Sequence, residues 1–255
     1  MKKPWIKIVA TWVLMPLVLV LILAFNAKKH SELACNAIKV QVDPREGLSF
    51  ITKRDVETKI LSRNENLIGK PISEIDFYAL EQLLLEIPHV KHVKVYTSIR
   101  GDIHVKLKQK KPLARIIYPD GNGFYLNAEG EIMPLSKNFT ARVLTVNGNI
   151  SRKYLKDKSL EAAPLLASIY KLAKQIDEDE FLKAQLQQLY VNENQEFEFV
   201  PRVGNHIIEF GDDSESETKF ENLKIFYLQG LSYKGWNRYQ KVSLKFKDQV
   251  VCTKK

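Results

Sequence analysis

The chain has only two cysteines, Cys35 and Cys252, in 255 residues. That is too few for a disulfide scaffold, and the plain expectation is two unpaired, buried thiols. A bridge between them would require the ends of two domains to meet. Catalytic signatures are missing too. No G-x-S-x-G, G-x-x-x-x-G-K-[ST] or H-E-x-x-H occurs, so the nucleophile elbow, the phosphate-cradling loop and the helical zinc site are all absent. Histidine is sparse: His30, His89, His92, His104 and His206. His89 and His92 straddle a helix-to-strand break, and no cysteine or carboxylate cluster completes a zinc site with them. The acid runs 177–180 and 212–217 fall where helices begin or connect, as solvated caps and loops. The sequence therefore offers no catalytic residue, no metal ligand set and no cofactor site.

Acid is also scarce over 91–115, where eight lysines and arginines face one carboxylate, Asp102. The whole chain carries a net charge of +9, with 45% hydrophobic and 27% charged residues. It is neither disordered in composition nor lacking material for a core. Its charge favours an anionic surface without choosing one. No nucleic-acid motif accompanies the basic stretch, so nucleic acid is not an expected partner.

Residues 8–25 carry no charge. As a helix they would rise roughly 27 Å, close to the thickness of a bilayer core. Pro16 is tolerable in such a helix, and Trp5 and Trp12 suit an interfacial belt. A cleaved signal peptide would have a shorter apolar core and a small-x-small site, and no clear site follows Phe25. Lys2, Lys3 and Lys7 precede the span, so its basic start is expected inside and the remainder outside.

Beyond the span, Ile38, Val40 and Val42 share one face of a strand. Thr52 and Asp55 have capping-box spacing at the start of a helix that aligns Val56 and Ile60. Gly69 and Pro71 mark a connector. A second helix, capped by Asp76, carries the stripe Phe77, Leu80, Leu83, Leu84 and Ile87 and stops at Pro88. Two alternating strands follow around a turn at 97–101. Pairing Val95 with Ile103 and Val93 with Val105 puts every apolar side chain on one face and the lysines on the other.

These residues resemble the POTRA domain of the bacterial division family FtsQ, also called DivIB. "LEIPHVKHVKV" and "IHVKLKQKKPLAR" carry the likeness, directly after a single span. Gln109 stands where the family has glutamate in a glutamate-x-x-proline-x-alanine step, and 96–98 lack its turn proline. Taken alone, a POTRA domain also suits an envelope assembly or secretion factor, although the chain is too short to add a sixteen-strand barrel. A peptidoglycan-acting enzyme is the remaining alternative.

The second half extends the resemblance. A hairpin around "NAEG", a strand at "ARVLTVNGNI", a helix with Leu165, Leu166, Ile169, Leu172, Ala173 and Ile176 on one face, three strands over "LQQLYVNENQEFEFVPRVGNHIIEFGD" and a helix striped by Phe220, Leu223, Phe226 and Tyr227 follow in the family's order. The last strand is expected to bury Val242, Leu244 and Phe246. A short returning strand over 249–253 is expected to form a sheet edge.

The expected fold is α+β: a cytoplasmic start at 1–7, a transmembrane helix at 8–25, a linker at 26–34, a βααββ POTRA domain at 35–111, and a mixed β-rich domain with helices at 112–253. The resemblance implies a non-enzymatic scaffold in the bacterial inner membrane, with its C-terminal region in the periplasm. Its implied partners are of the FtsB and FtsL type, bound by strand addition at the C-terminal edge, and through them it would regulate septal peptidoglycan synthesis. Carried over by position, the contact would use Lys245, Phe246, Asp248, Gln249, Val250 and Val251, with Ser243 and Lys245 departing from the family pattern.

Overall fold

A computed structural model describes residues 15, 17, 18, 33–44, 47–63, 67–152, 163–231, 235, 237–247 and 249–255. Apart from Met15, Leu17 and Val18, which are helical, the expected span at 8–25 lies outside the described residues. Among the described residues no helix is long and apolar enough to cross a membrane. The chain divides into two compact units, Met1–Arg45 with Ile51–Gln109, and Glu46–Phe50 with Lys110–Lys255.

Over residues 33–109 the first unit has a three-stranded sheet and, among the described residues, two α-helices. Strands β1 (Ile38–Val42), β2 (Val90–Thr97) and β3 (Ile103–Gln109) lie in the order β1-β3-β2. Helix α1 (Lys53–Arg63) starts at the expected capping box. The Thr52 N–H donates to Asp55 Oδ2 at 2.8 Å, and the Asp55 N–H to Thr52 Oγ1 at 3.2 Å, so two orphan amides are satisfied reciprocally. Helix α2 (Phe77–Leu85) is capped by Asp76, whose carboxylate accepts from the Ala79 N–H at 2.9 Å. Its stripe buries Leu80, Leu83 and Leu84 together with Val56 and Ile60 of α1. On β3 the apolar side chains Ile103, Val105 and Leu107 are buried, and Lys106 and Lys108 are exposed. The basic stretch is thus the wet face of this sheet.

The hairpin register differs from the expected one. Val95 pairs with Val105, Val93 with Leu107 and Thr97 with Ile103, a displacement of two residues along β3. The turn moves with it, from 97–101 to 98–102: the Ser98 N–H donates to the Asp102 carbonyl at 2.9 Å, and the Gly101 N–H to the Ser98 carbonyl at 3.0 Å. An even displacement keeps every side chain on its face, so the apolar pattern alone could not separate the two registers. Gly101 settles the turn. Its φ is +84°, and a Cβ there would stand 2.4 Å from the Ala34 carbonyl oxygen, so only glycine fits without displacing backbone.

The second unit is a nine-stranded sheet in the order β12-β11-β10-β9-β8-β7-β4-β5-β6. Its strands are β4 (Pro112–Ile117), β5 (Gly123–Asn127), β6 (Ile132–Pro134), β7 (Leu144–Gly148), β8 (Leu186–Val191), β9 (Phe197–Pro201), β10 (Ile207–Gly211), β11 (Tyr239–Ser243) and β12 (Val251–Lys254). Strands β4, β7 and β8 run parallel, as do β10 and β11. Helix α3 (Pro164–Glu178) buries the six residues of its expected stripe. Helix α4 (Glu180–Gln185), capped by Asp179, was not foreseen as an element, although an acid cap there was. Helix α5 (Ser216–Ile225) runs into a π-helical turn at Phe226–Leu231. The three helices share one core with Ile116, Val146, Leu189, Phe199 and Ile208 of the sheet.

On the opposite face, at the β4–β5 end, Phe50 packs edge-on against Tyr125 at 5.4 Å and Phe139 at 5.1 Å. The Phe50 carbonyl accepts from Ser136 Oγ and Asn138 Nδ2, both at 3.2 Å. A short piece of chain between β1 and α1 therefore belongs to the second unit. No periodic signal in the sequence marks this packing, because the residues involved lie in separate segments.

Leu84 is fully buried and Lys106 exposed. Leu84→Ala should lower unfolding stability by about 2–5 kcal/mol, and Lys106→Ala should leave it within about 0.5 kcal/mol. Urea titrations of the two variants check the assignment of faces.

Candidate partner-binding edge

The nine-stranded sheet ends at β12. Val251 pairs with Ser243, Cys252 with Val242 and Thr253 with Lys241, antiparallel to β11. On the other side of β11, the Leu244 N–H donates to the Glu209 carbonyl at 2.8 Å. Backbone groups alternate along a strand, so Ser243 and Lys241 direct theirs toward β12. The Lys255 N–H donates to the Arg238 carbonyl at 3.2 Å, which fixes the same phase on β12. Val251 and Thr253 are thus the ladder residues, and the backbone of Cys252 and Lys254 is directed away from β11. Among the described residues no strand lies beyond β12.

Two of the other three sheet ends, β2 and β6, differ. On β2 the outward Val95 N–H is held by Glu81 Oε1 of α2 at 2.7 Å. Strand β6 has only three residues and ends at Pro134, a short edge closed by a residue without an N–H.

The six positions singled out by the family resemblance fall as follows. Lys245 and Phe246 lie in the connection from β11, Gln249 and Val250 lead into β12, and Val251 opens it. Asp248 lies outside the described residues. Phe246 is 55% exposed and Val251 43%. Val250 is half-buried against the core. Lys245 forms an ion pair with Glu196 at 2.5 Å. That hydrogen bond, with a further one from Asn192, holds the Glu196 carboxyl below its ordinary pKa. The expected alternation of the last long strand fails after Leu244. Strand β11 stops at Ser243, which is itself buried, and Phe246 turns out to solvent. Its physical reason is the chain's departure from β11: after Leu244 completes the β10 ladder, the backbone turns, and the Gln249 N–H reaches the Phe246 carbonyl at 3.4 Å.

Sequence reasoning missed the face beside this edge. Val251, Ser243, Glu209, Glu198 and Tyr190 lie in one row across β12 to β8, and Thr253, Lys241, Ile207 and Val200 in the next. Lys241 pairs with Glu209 at 2.7 Å, while Ile207, Val200 and Tyr190 remain exposed. Strand parity could have found these rows once β11 and β12 were phased.

Residue 111–253 match a family model described as FtsQ/DivIB, C-terminal related. That is more than half of the chain. The chain belongs to the FtsQ/DivIB family. Residues 33–108 match a POTRA-like domain. No curated protein matches the chain. The FtsQ/DivIB family is division-associated, and its domains, like POTRA-like domains, generally serve as non-enzymatic scaffolds.

Both cysteines of this FtsQ/DivIB chain are thiols, Cys35 buried and Cys252 half-buried. Burial pushes the Cys35 thiol up, with Asp102 adding to the shift. Among the described residues no group of three His, Cys, Asp or Glu could hold a metal ion. His104 stacks on Tyr96 at 5.2 Å across the hairpin, and His92 is exposed. His206 differs: it is 2% exposed, and its Nε2 lies 2.7 Å from the Tyr227 hydroxyl. Burial lowers the His206 pKa, assisted by the charge of Lys255, and burial pushes Tyr227 up to about 12.

The His206 shift has a sign that can be tested. Its folded pKa lies below the unfolded value of about 6.5. Between the two, the unfolded chain binds more protons, so stability is full above about pH 6.5 and declines as pH falls toward the folded pKa. Urea midpoints measured from pH 7.5 to 5 should fall with acidification (range set by about 6.5 and below), and His206→Gln should flatten that decline.

Proposed function

We propose that this chain is a non-enzymatic scaffold of the bacterial division machinery. It captures FtsB- or FtsL-type partners by strand addition at β12 and so regulates septal peptidoglycan synthesis. The observation that carries this reading is the β12 edge, beyond which no strand lies among the described residues, flanked by the exposed side chains Phe246 and Val251. An added strand gains affinity from main-chain hydrogen bonds and specificity from alternate side chains. Those side chains would meet the row led by Val251 or that led by Thr253. The uncharged segment 8–25 supports anchoring in the inner membrane, with the N-terminus cytoplasmic and residues 26–255 periplasmic.

The backbone phase selects the test. Lys254 is exposed, and its N–H is directed away from β11, so Lys254→Pro deletes an outward donor and leaves the ladder residues Val251 and Thr253 intact. Lys254→Pro should abolish capture of an FtsB-type partner in pull-downs from envelope extracts, with the urea midpoint nearly unchanged. Unaltered capture would remove strand addition as the mechanism. Phe246→Ala should weaken capture without affecting stability, because more than half of its surface already faces water.

Topology has its own measurement. A reporter fused after Lys255 should be active only outside the cytoplasm. Recovery of a soluble chain lacking residues 1–30 would show a cleaved signal in place of an anchor.

A further inference from the structure

Three arginines of the second unit converge on one cleft far in sequence from the β12 edge. The cleft has a volume of about 520 Å³ and lies where the parallel strands β4, β7 and β8 begin, at Leu113, Leu144 and Leu186. Its apolar floor includes Ala173 and Ile176 of α3. Around it stand four cationic side chains, Arg115, Arg142, Lys183 and Arg202, and one carboxylate, Asp177. Asp177 is already committed. Its oxygens pair with Lys111 at 2.6 Å and Lys183 at 2.5 Å. Burial raises its pKa, and the hydrogen bonds from these two lysines outweigh burial and hold it low.

None of the three guanidiniums has a carboxylate or hydrogen-bond partner among the described residues. Arg115 sits over the Tyr125 ring at 5.9 Å, and its Nε is shielded from solvent with nothing to donate to. A buried donor without an acceptor costs stability, and like charges around one depression repel. A multiply charged oxyanion removes both penalties. Guanidinium forks match the oxygens of phosphate two at a time, and the volume falls within the range of small-molecule sites.

We infer that this cleft binds a phosphorylated anion, a diphosphate or a comparable phosphate group. Its position beside Arg115, Arg142 and Arg202 sets it apart from the strand-addition edge, and it does not depend on that edge being used. The phosphate could reach it as a free compound or as a lipid headgroup, and the two sources are separable by experiment.

The probe is inorganic pyrophosphate, titrated into the full-length chain in neutral detergent at low ionic strength and followed by calorimetry. Saturable binding is expected. Arg142→Gln and Arg202→Gln, both at exposed positions, should each weaken it by about tenfold. Arg115→Lys keeps the charge and loses the fork, and should weaken binding with the urea midpoint unchanged. Lys106→Gln, on the basic face of the other unit, should have no effect. Equal affinity when phosphatidylglycerol is mixed into the micelles supports a free phosphate compound. Loss of pyrophosphate binding in those micelles, with binding retained in neutral detergent, supports a lipid headgroup. No binding in either medium, or binding that survives all three arginine variants, overturns the proposal. An acidic peptide that binds the cleft where pyrophosphate does not would also overturn it.

Discussion

The second unit depends on the parity of its strands. Each strand from β4 to β11 must send one set of alternate side chains into the layer held by α3, α4 and α5. A slip by one residue in any strand would place Leu189, Phe199 or Ile208 in water and a polar neighbour in the core. Parity also determines what lies outside. It assembles the polar rows that cross β8 to β12, with the Lys241–Glu209 pair among exposed Ile207, Val200 and Tyr190. A sheet organised in this way stays open, because one face is filled by helices and the strands do not close into a barrel. It must therefore end somewhere, and its ends need management.

The ends are managed unequally. Strand β6 is short and finishes in proline, and in the first unit Glu81 occupies the central outward amide of β2. Among the described residues strand β12 shows neither device, and Lys254 and Lys255 stand at its finish. Charged ends discourage indiscriminate pairing without removing the outward Lys254 N–H, the donor an added strand would use. Functional use of this edge thus rests on its contrast with β2 and β6.

How much of this was legible in the sequence depended on the range of the interaction. Local signals succeeded. The Thr52–Asp55 box, the Asp76 cap and the six-residue stripe of α3 each rest on contacts within a turn or two of helix, and each appears as expected. Face assignment also succeeded, because it needs only a period. Register did not. The β2–β3 pairing is displaced by two residues, which costs no hydrophobic burial and so leaves no trace in the apolar pattern. Phe246 was misplaced for a related reason: alternation continues in the sequence beyond Leu244, but the backbone leaves the ladder there. The packing of Phe50 on Tyr125 and Phe139 joins residues 75 or more apart, with no periodic signal between them. The arginine cleft was invisible because Arg115, Arg142 and Arg202 come from three separate segments that only the parallel strand order brings together.

The chain's positive charge consequently divides into two kinds. On the first unit's sheet, Lys94 stands directly opposite Lys106, a like-charge pairing that opposes association of the strands. The Lys106 ammonium lies 5.3 Å over the Tyr96 ring, which offsets part of that repulsion, and both lysines can extend into water on flexible stems. Such a surface attracts anions diffusely and weakens with salt. In the second unit the charge is carried by guanidiniums around a depression, one of them with a shielded nitrogen, where solvation cannot substitute for an acceptor. Diffuse attraction needs only the sum of charges, whereas the cleft needs oxygens in defined places. Net charge from the sequence describes the first kind and is blind to the second.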